Sequence, residues 1–282
     1  MEMFQYDFIQ RAFIAGLAIS FITPILGLFL ILRRQSLMAD TLSHISLAGV
    51  ALGVILGIQP TWTTLFVVVL ASLGIEYLRR VYQNFSEISV ALMMSAGMAL
   101  ALILLSLNSN SGVFKVDQYL FGSIILIQNH EVYLLIALAI TMVLLYIIFR
   151  KPLYLVAFDE ATAKTVGLPV QMISTCFSIL TGIAISIMMP IVGVLLISAL
   201  IVIPSATAIR LAKSFEEAII IGFIINLLGI FWGLFVSYQY DTPPGASITL
   251  IFILMFALVV ICQHFRSKIR KKQQELCKDH ES

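Results

Sequence analysis

Charge is what this sequence has least of. Only 11% of its 282 residues are Asp, Glu, Lys or Arg, while 60% are hydrophobic. A soluble globular domain carries about 25% charged residues. The shortfall excludes a soluble fold and makes the chain integral to a membrane. Cysteine is almost as scarce, at three residues (Cys176, Cys262 and Cys277) with no CxxC among them. That excludes a thiolate metal motif and points to free, buried thiols. No Ser/Gly/Pro-rich linker divides the chain. No GxxxxGK[ST] phosphate loop occurs, so the chain is not an ATPase of the P-loop kind. Met1 to Asp7 holds two acids and no base, unlike a cleavable signal peptide. Nor do any ten-residue alternating strands suggest a membrane barrel. The small net charge of +2 favours no particular partner, and none of nucleic acid is expected.

What the sequence has in abundance is long apolar runs. They cover about residues 10–32, 42–58, 61–78, 88–107, 131–149, 168–189, 191–206, 217–238 and 245–264. Each can cross about 30 Å of hydrocarbon as a helix or comes close to it. Between 108 and 130 lie a polar stretch and a short apolar piece, Tyr119 to Ile127, suited to an interfacial or re-entrant segment. Basic clusters at 33–34, 79–80, 150–164, 210–213 and 266–272 follow every second crossing, while the opposite loops carry one lysine between them. By the positive-inside rule the N terminus lies outside and the C terminus in the cytoplasm. The expectation is an all-α, polytopic membrane protein of nine helices. Eight remain possible if residues 189–191 do not form a true turn. One transmembrane domain covers 1–266, and 267–282 is a basic, polar cytoplasmic tail.

Asp40 and His44 carry the chemistry. At i, i+4 they lie about 40° apart on one side of a helix. Asp is also a favoured N-cap, and at the mouth of the second segment Asp40 could serve as one. The pair together reads as metal contact, because ionisable groups inside a membrane are functional by default. Two ligands are half a site. A second copy across a two-fold axis would complete an Asp2His2 set, tetrahedral for Zn²⁺ and, with water, suitable for Mn²⁺. Gly49, Gly53 and Gly57 fall on the other side at GxxxGxxxG spacing, the pattern that lets a neighbouring helix approach. His130 sits in an outer loop as a solvated residue or weak vestibule ligand. His264 and His280 lie in or near the tail, and eleven methionines are scattered without a regular path. Glu76, with Arg79 and Arg80 three and four residues on, suits an interfacial ion pair.

Two segments suit a cytoplasmic surface. In IVIPSATAIRLAKSFEEA (201–218), Pro204 ends an apolar helix, and an amphipathic element with Arg210, Lys213, Glu216 and Glu217 follows. An ordinary basic loop fits equally well. In FDEATAKTVGLP (158–169), a helix start at Asp159 is followed by a stop at Gly167 and Pro169.

The strings LRRQSLMADTLSHISLAGVALG, QYLFGSIILI, AFDEATAKTVGLPV, VGVLLISALIVIPSATAIRLA and YDTPPGASITL resemble, in order and spacing, the permease subunit of bacterial zinc/manganese ABC importers. The resemblance runs to about residue 265. It implies the permease fold of the larger-type ABC importers, two copies forming the pathway, a dimer of cytoplasmic ATPase subunits and an extracellular or periplasmic metal-binding protein. The site would be the bacterial inner membrane, with no permanently bound cofactor. It further implies that Asp40 and His44 line the translocation path. The coupling helix that seats in the ATPase would span Ser205 to Glu217, including Ala206, Thr207, Arg210, Lys213 and Glu216. ADTLSHISLAGVALG and YDTPPG are more similar to the zinc branch than to the manganese or iron one. The family often has Gly where Ala39 stands. A stand-alone secondary carrier and a membrane protein without transport are the readings of other classes.

Overall fold

A computed structural model describes residues 7–82, 86–107, 116–122 and 127–281. Met1 to Tyr6 and most of the polar stretch after Leu107 lie outside the described residues. The described chain is all helical: α1 (Asp7–Leu32), α2 (Ser36–Leu56), α3 (Pro60–Val81), α4 (Ser86–Leu107), α5 (Val116–Phe121), α6 (Asn129–Phe158), α7 (Glu160–Thr165), α8 (Val170–Val192), α9 (Val194–Leu211), α10 (Phe215–Tyr240) and α11 (Pro244–Glu281). Among the described residues nine helices are long and apolar enough to cross a membrane, all except the six-residue α5 and α7. The backbone of α11 continues through residues 267–281, so the basic tail extends the last helix.

Contacts fix one face of the bundle. Arg33 after α1 pairs with Glu160 of α7, and Arg80 at the end of α3 donates to the Gln171 carbonyl and Thr175 hydroxyl at the start of α8. Late in α6, Arg150 pairs with Glu216 at the start of α10. Gln263 of α11 donates to the Arg210 carbonyl near the end of α9. The basic clusters therefore share one end of the bundle, called here the basic face. Gln59 and His130 meet at the other end.

The joint between α8 and α9 is a true reversal. Gly193 makes it alone, with φ 88° and ψ 149°. Positive φ suits glycine, and there is no room for a side chain, since a Cβ at Gly193 would lie 2.4 Å from the backbone nitrogen of Gly122. Gly122 itself has φ 73°. Two bare glycine backbones thus lock the end of α5 against the α8–α9 corner.

In lipid there is little hydrophobic drive between helices, so association relies on close packing. Gly27 of α1 approaches the Ile201 carbonyl of α9, and Gly97 of α4 approaches Ile45 of α2. Aromatic contact adds to this where Phe29 of α1 meets Phe177 of α8, with ring centroids 3.8 Å apart. Buried hydroxyls bond back to their own helix, as Ser20 does to the Gly16 carbonyl and Thr181 to that of Phe177. This satisfies them without a cross-helix partner.

Four boundaries differ from the sequence expectation, the first being α8, which runs through Pro190 to Val192 and moves the turn from 189–191 to Gly193. α2 begins at Ser36, a turn and a half before the apolar run at 42. α6 carries Arg150 and Lys151 inside its length and ends only at Phe158. α9 passes through Pro204 to Leu211. Packing against α1, α2, α10 and α11 holds α9 together where its proline removes one hydrogen bond. Cys176 and Cys262 are exposed on the bundle, not buried.

Candidate metal path and docking surface

Asp40 does not cap α2. The N-cap is Gln35, so Asp40 sits in the second turn, about 6 Å above the helix start, and His44 about 12 Å above it. Asp40 Oδ1 and His44 Nε2 are 3.8 Å apart, with side chains 33% and 11% exposed. His44 Nδ1 is buried and has no partner. The separation is too long for a hydrogen bond but short enough for one cation to touch both groups. The chain brings no third ligand: among the described residues no three His, Cys, Asp or Glu side chains cluster. Nε2 is the ring nitrogen that faces the one-third-exposed Asp40 carboxylate, while the orphaned Nδ1 lies on the other side of the ring.

The glycines of α2 divide. A Cβ on Gly49 would stand 2.6 Å from Thr64 Cα, and one on Gly53 2.9 Å from Pro60 Cα, so both lie at the seam with α3. Gly57 does not pack. It has φ 65°, nothing within 4 Å of a built Cβ, and it ends the helix as its C-cap. The periodic spacing identified the face but ran one step past the helix end.

The expected surface helix after Pro204 is absent. Ser205 and Thr207 are each 1% exposed inside α9, where helix continuity carries them into the core, and Ala206 is half-buried. Arg210, Lys213 and Glu216 are exposed. Glu217 is partly occupied, accepting from the Lys213 amide at 2.7 Å while its own amide donates to the Ser214 hydroxyl at 3.2 Å. Arg210 also lies over the Phe256 ring at 5.4 Å.

The free-standing surface helix is α7. Asp159 caps it, accepting from the Thr162 amide at 3.0 Å and from the Thr162 hydroxyl. Those bonds hold the Asp159 carboxyl below its usual range. Gly167, with φ 85°, ends the turn. Ala163 anchors the helix in the core at 0% exposure, while Glu160, Ala161, Lys164 and Thr165 face outward. Lys164 bonds Glu160 Oε1 at 2.7 Å and Arg33 bonds Oε2 at 2.8 Å. The Lys164 bond first, and then the Arg33 charge, hold the Glu160 carboxyl low.

Sequence reasoning missed a polar cluster under α2. Glu76 is 6% exposed and pairs with Arg79 at 3.0 Å, while Ser178 of α8 reaches its carboxylate at 3.3 Å. Arg80 takes no part. With its amide turned to satisfy both groups, Gln35 accepts from both terminal nitrogens of Arg79 at 2.7 Å. Glu76 and Arg79 stand at i, i+3, which signalled the pair but not its cross-helix partners. At the far face, His130, Gln59, Glu131, Thr64 and Ser186 line a cavity of about 100 Å³. There His130 Nε2 lies 3.1 Å from Gln59 Nε2, and Glu131 closes a capping box at the start of α6. His264 is exposed near the end of the last span, and the His280 side chain lies outside the described residues.

Residues 5–263 match the ABC 3 transport family. The chain belongs to that family. It is therefore a multi-pass permease, the non-catalytic membrane subunit of an ABC importer of metal ions. The manganese import system permease protein ScaB of Streptococcus gordonii is 32% identical to this ABC-3 permease over 270 residues, 94% of this chain and 96% of its own. The high-affinity zinc uptake system membrane protein ZnuB of Buchnera aphidicola is 31% identical over 246 residues, 87% and 94% of the two chains. Manganese systems outnumber zinc ones among the relatives compared. In structure the permease is similar to PsaBC from Streptococcus pneumoniae in complex with Fab, with a TM-score of 0.81, 29% identity, and 91% and 92% of the two chains covered. Membership implies a complex with an ATPase and a metal-binding protein.

Proposed function

We propose that this permease imports Zn²⁺ as a homodimer, with Asp40 and His44 of each copy forming the ion site. The observation that carries the reading is the pair itself: a carboxylate 3.8 Å from His44 Nε2 on a largely buried helix. Two copies supply four nitrogen and oxygen ligands, a number and type that close a tetrahedral Zn²⁺ shell. Asp40, with one third of its side chain uncovered by the rest of the chain, leaves room for exchange, as a transport site requires. A second reading, Mn²⁺, is favoured by the manganese names among the relatives. It calls for further oxygen ligands from water or backbone.

The basic face is cytoplasmic in this reading, by the positive-inside rule. The ATPase then docks at α7, which projects from that face, with Arg210, Lys213 and Glu216 nearby as rim charges. The metal-binding protein delivers to the opposite face, above the His130 cavity. Asp40→Ala and His44→Ala are expected to abolish uptake of radiolabelled Zn²⁺ by cells lacking other zinc importers, at unchanged protein level. Full uptake by either variant sinks the site. Loss of Mn²⁺ but not Zn²⁺ accumulation on deletion of the gene selects the second reading.

A further inference from the structure

We propose that Arg33 is a positioning residue through which α7 moves the base of α2, and with it Asp40 and His44. The proposal rests on α7 being the docking element. Arg33 lies in the turn between α1 and α2. Its side chain is 7% exposed, and its Nη2 donates to Glu160 Oε2 at 2.8 Å. Among the described residues this is the one side-chain bond between α7 and that turn. An arginine whose charge is buried needs its partner far more than a surface arginine does.

The turn is built to transmit rather than absorb. The Arg33 amide donates to the Phe29 carbonyl at 3.0 Å, that of Arg34 to Ile31 at 3.0 Å, and that of Gln35 to Leu30 at 2.7 Å. Arg34 has φ 57°, the left-handed region that a non-glycine residue occupies only when its surroundings impose it. Directly after it, Gln35 is clamped by Arg79, which Glu76 holds in turn. The first turn of α2 is thus gripped from two sides: by α3 through Arg79, and by α7 through Arg33. A displacement of α7 has a stiff route to Asp40, one helical turn further on.

The link also has an unused position. Arg33 Nη1 is buried without a partner, while Lys164 occupies Glu160 Oε1 at 2.7 Å. A carboxylate on the docked ATPase that draws Lys164 away frees Oε1. Arg33 then takes Glu160 with both nitrogens, the stronger bidentate form. Docking is in this way felt at α2 without any contact between the ATPase and the ion site.

The test uses the permease co-purified with its ATPase, reconstituted in liposomes and supplied with its metal-binding protein, reading ATP hydrolysed per radiolabelled Zn²⁺ ion carried. Glu160→Gln, at the exposed end of the pair, and Arg33→Gln are each expected to raise that ratio about fivefold or more, with hydrolysis itself kept. Arg33→Glu combined with Glu160→Arg is expected to recover part of the loss. A ratio unchanged from wild type in Glu160→Gln, with the ATPase bound, overturns the relay. So does a parallel fall of transport and hydrolysis in both single variants. The docking reading is judged separately, by ATPase co-purification with Ala161→Arg and Lys164→Glu. Undiminished co-purification there sinks docking at α7, while the ratio still decides whether Arg33 couples to α2.

Discussion

Gly49 and Gly57 lie two helical turns apart on α2, and alanine at each is expected to do harm for opposite reasons. At Gly49 the backbone is ordinary helix, and alanine is a better helix former than glycine by about 1 kcal/mol. The obstacle is outside the helix. The new Cβ would meet Thr64 Cα at 2.6 Å, where ordinary contacts begin at 3.4 Å, a shortfall of 3.4 − 2.6 = 0.8 Å. A backbone atom cannot rotate out of the way, so α3 must shift. Overpacking of that kind costs roughly 1–3 kcal/mol, of which the propensity gain returns only part. At Gly57 there is open space, and the cost is the left-handed conformation at φ 65°, about 1 kcal/mol for a residue with a Cβ. Asparagine separates the two. It tolerates the left-handed region, so Gly57→Asn should lie close to wild type, whereas Gly49→Asn should be worse than Gly49→Ala. The assay is thermal unfolding of the purified permease in detergent, where each kcal/mol moves the midpoint of a large chain by about 2–4 °C. A Gly49→Ala midpoint equal to wild type, or a Gly57→Asn midpoint below that of Gly49→Asn, refutes the division of the glycines into a seam and a cap.

Other outcomes follow from the same geometry. Gly193→Ala adds a side chain to a positive-φ corner 2.4 Å from the Gly122 nitrogen, so little monodisperse protein should be recovered by size-exclusion chromatography; a normal yield would show that the corner can relax. Asp159 has a depressed pKa from its bonds to Thr162, so its cap contributes stability above the unfolded carboxylate pKa and loses it as pH falls through the folded one. Hydrogen exchange of the α7 amides, corrected for intrinsic rate, should rise selectively on acidification below the ordinary carboxylate range, and Asp159→Ala should show the same rise already at neutral pH. Protection that is flat with pH in the wild type contradicts the cap assignment. A cysteine-reactive apolar probe added in detergent should label Cys176 and Cys262 without unfolding, since both are exposed on the bundle.

Much of this architecture was legible from two simple signals. Apolar length located the spans, and the alternation of basic clusters placed their ends on one face, which the Arg80, Arg150 and Arg210 contacts join into a single surface. The reversal expected at 189–191 does occur, but at Gly193, because α8 continues through Pro190 to Val192. Boundaries were less legible, because hydropathy measures lipid contact rather than helix. Residues 36–41 are too polar to read as a span, yet they are helical because α2 is walled by protein. Pro204 reads as a helix end, yet packing on several sides holds α9 through it. The surface helix was expected after Pro204 for the same reason: SATA after a proline looks like a turn, while the surface helix lies at α7, between the start read at Asp159 and the stop read at Gly167. The Asp40 and His44 pair was found by spacing, but its depth depended on where α2 begins. The link from Arg33 to Glu160 joins residues 127 positions apart and left no local trace.

The hydroxyls beside Asp40 and His44 have a consequence of their own. Thr41 gives its hydrogen to the Leu37 carbonyl at 3.0 Å, Ser43 to that of Ala39 at 2.7 Å, and Ser46 to that of Ser43. A hydroxyl with its hydrogen committed backwards has only lone pairs left to offer. The flanks of α2 are therefore basic in the Lewis sense while remaining uncharged. All three hydroxyls are fully buried, so these lone pairs face the interior of the bundle.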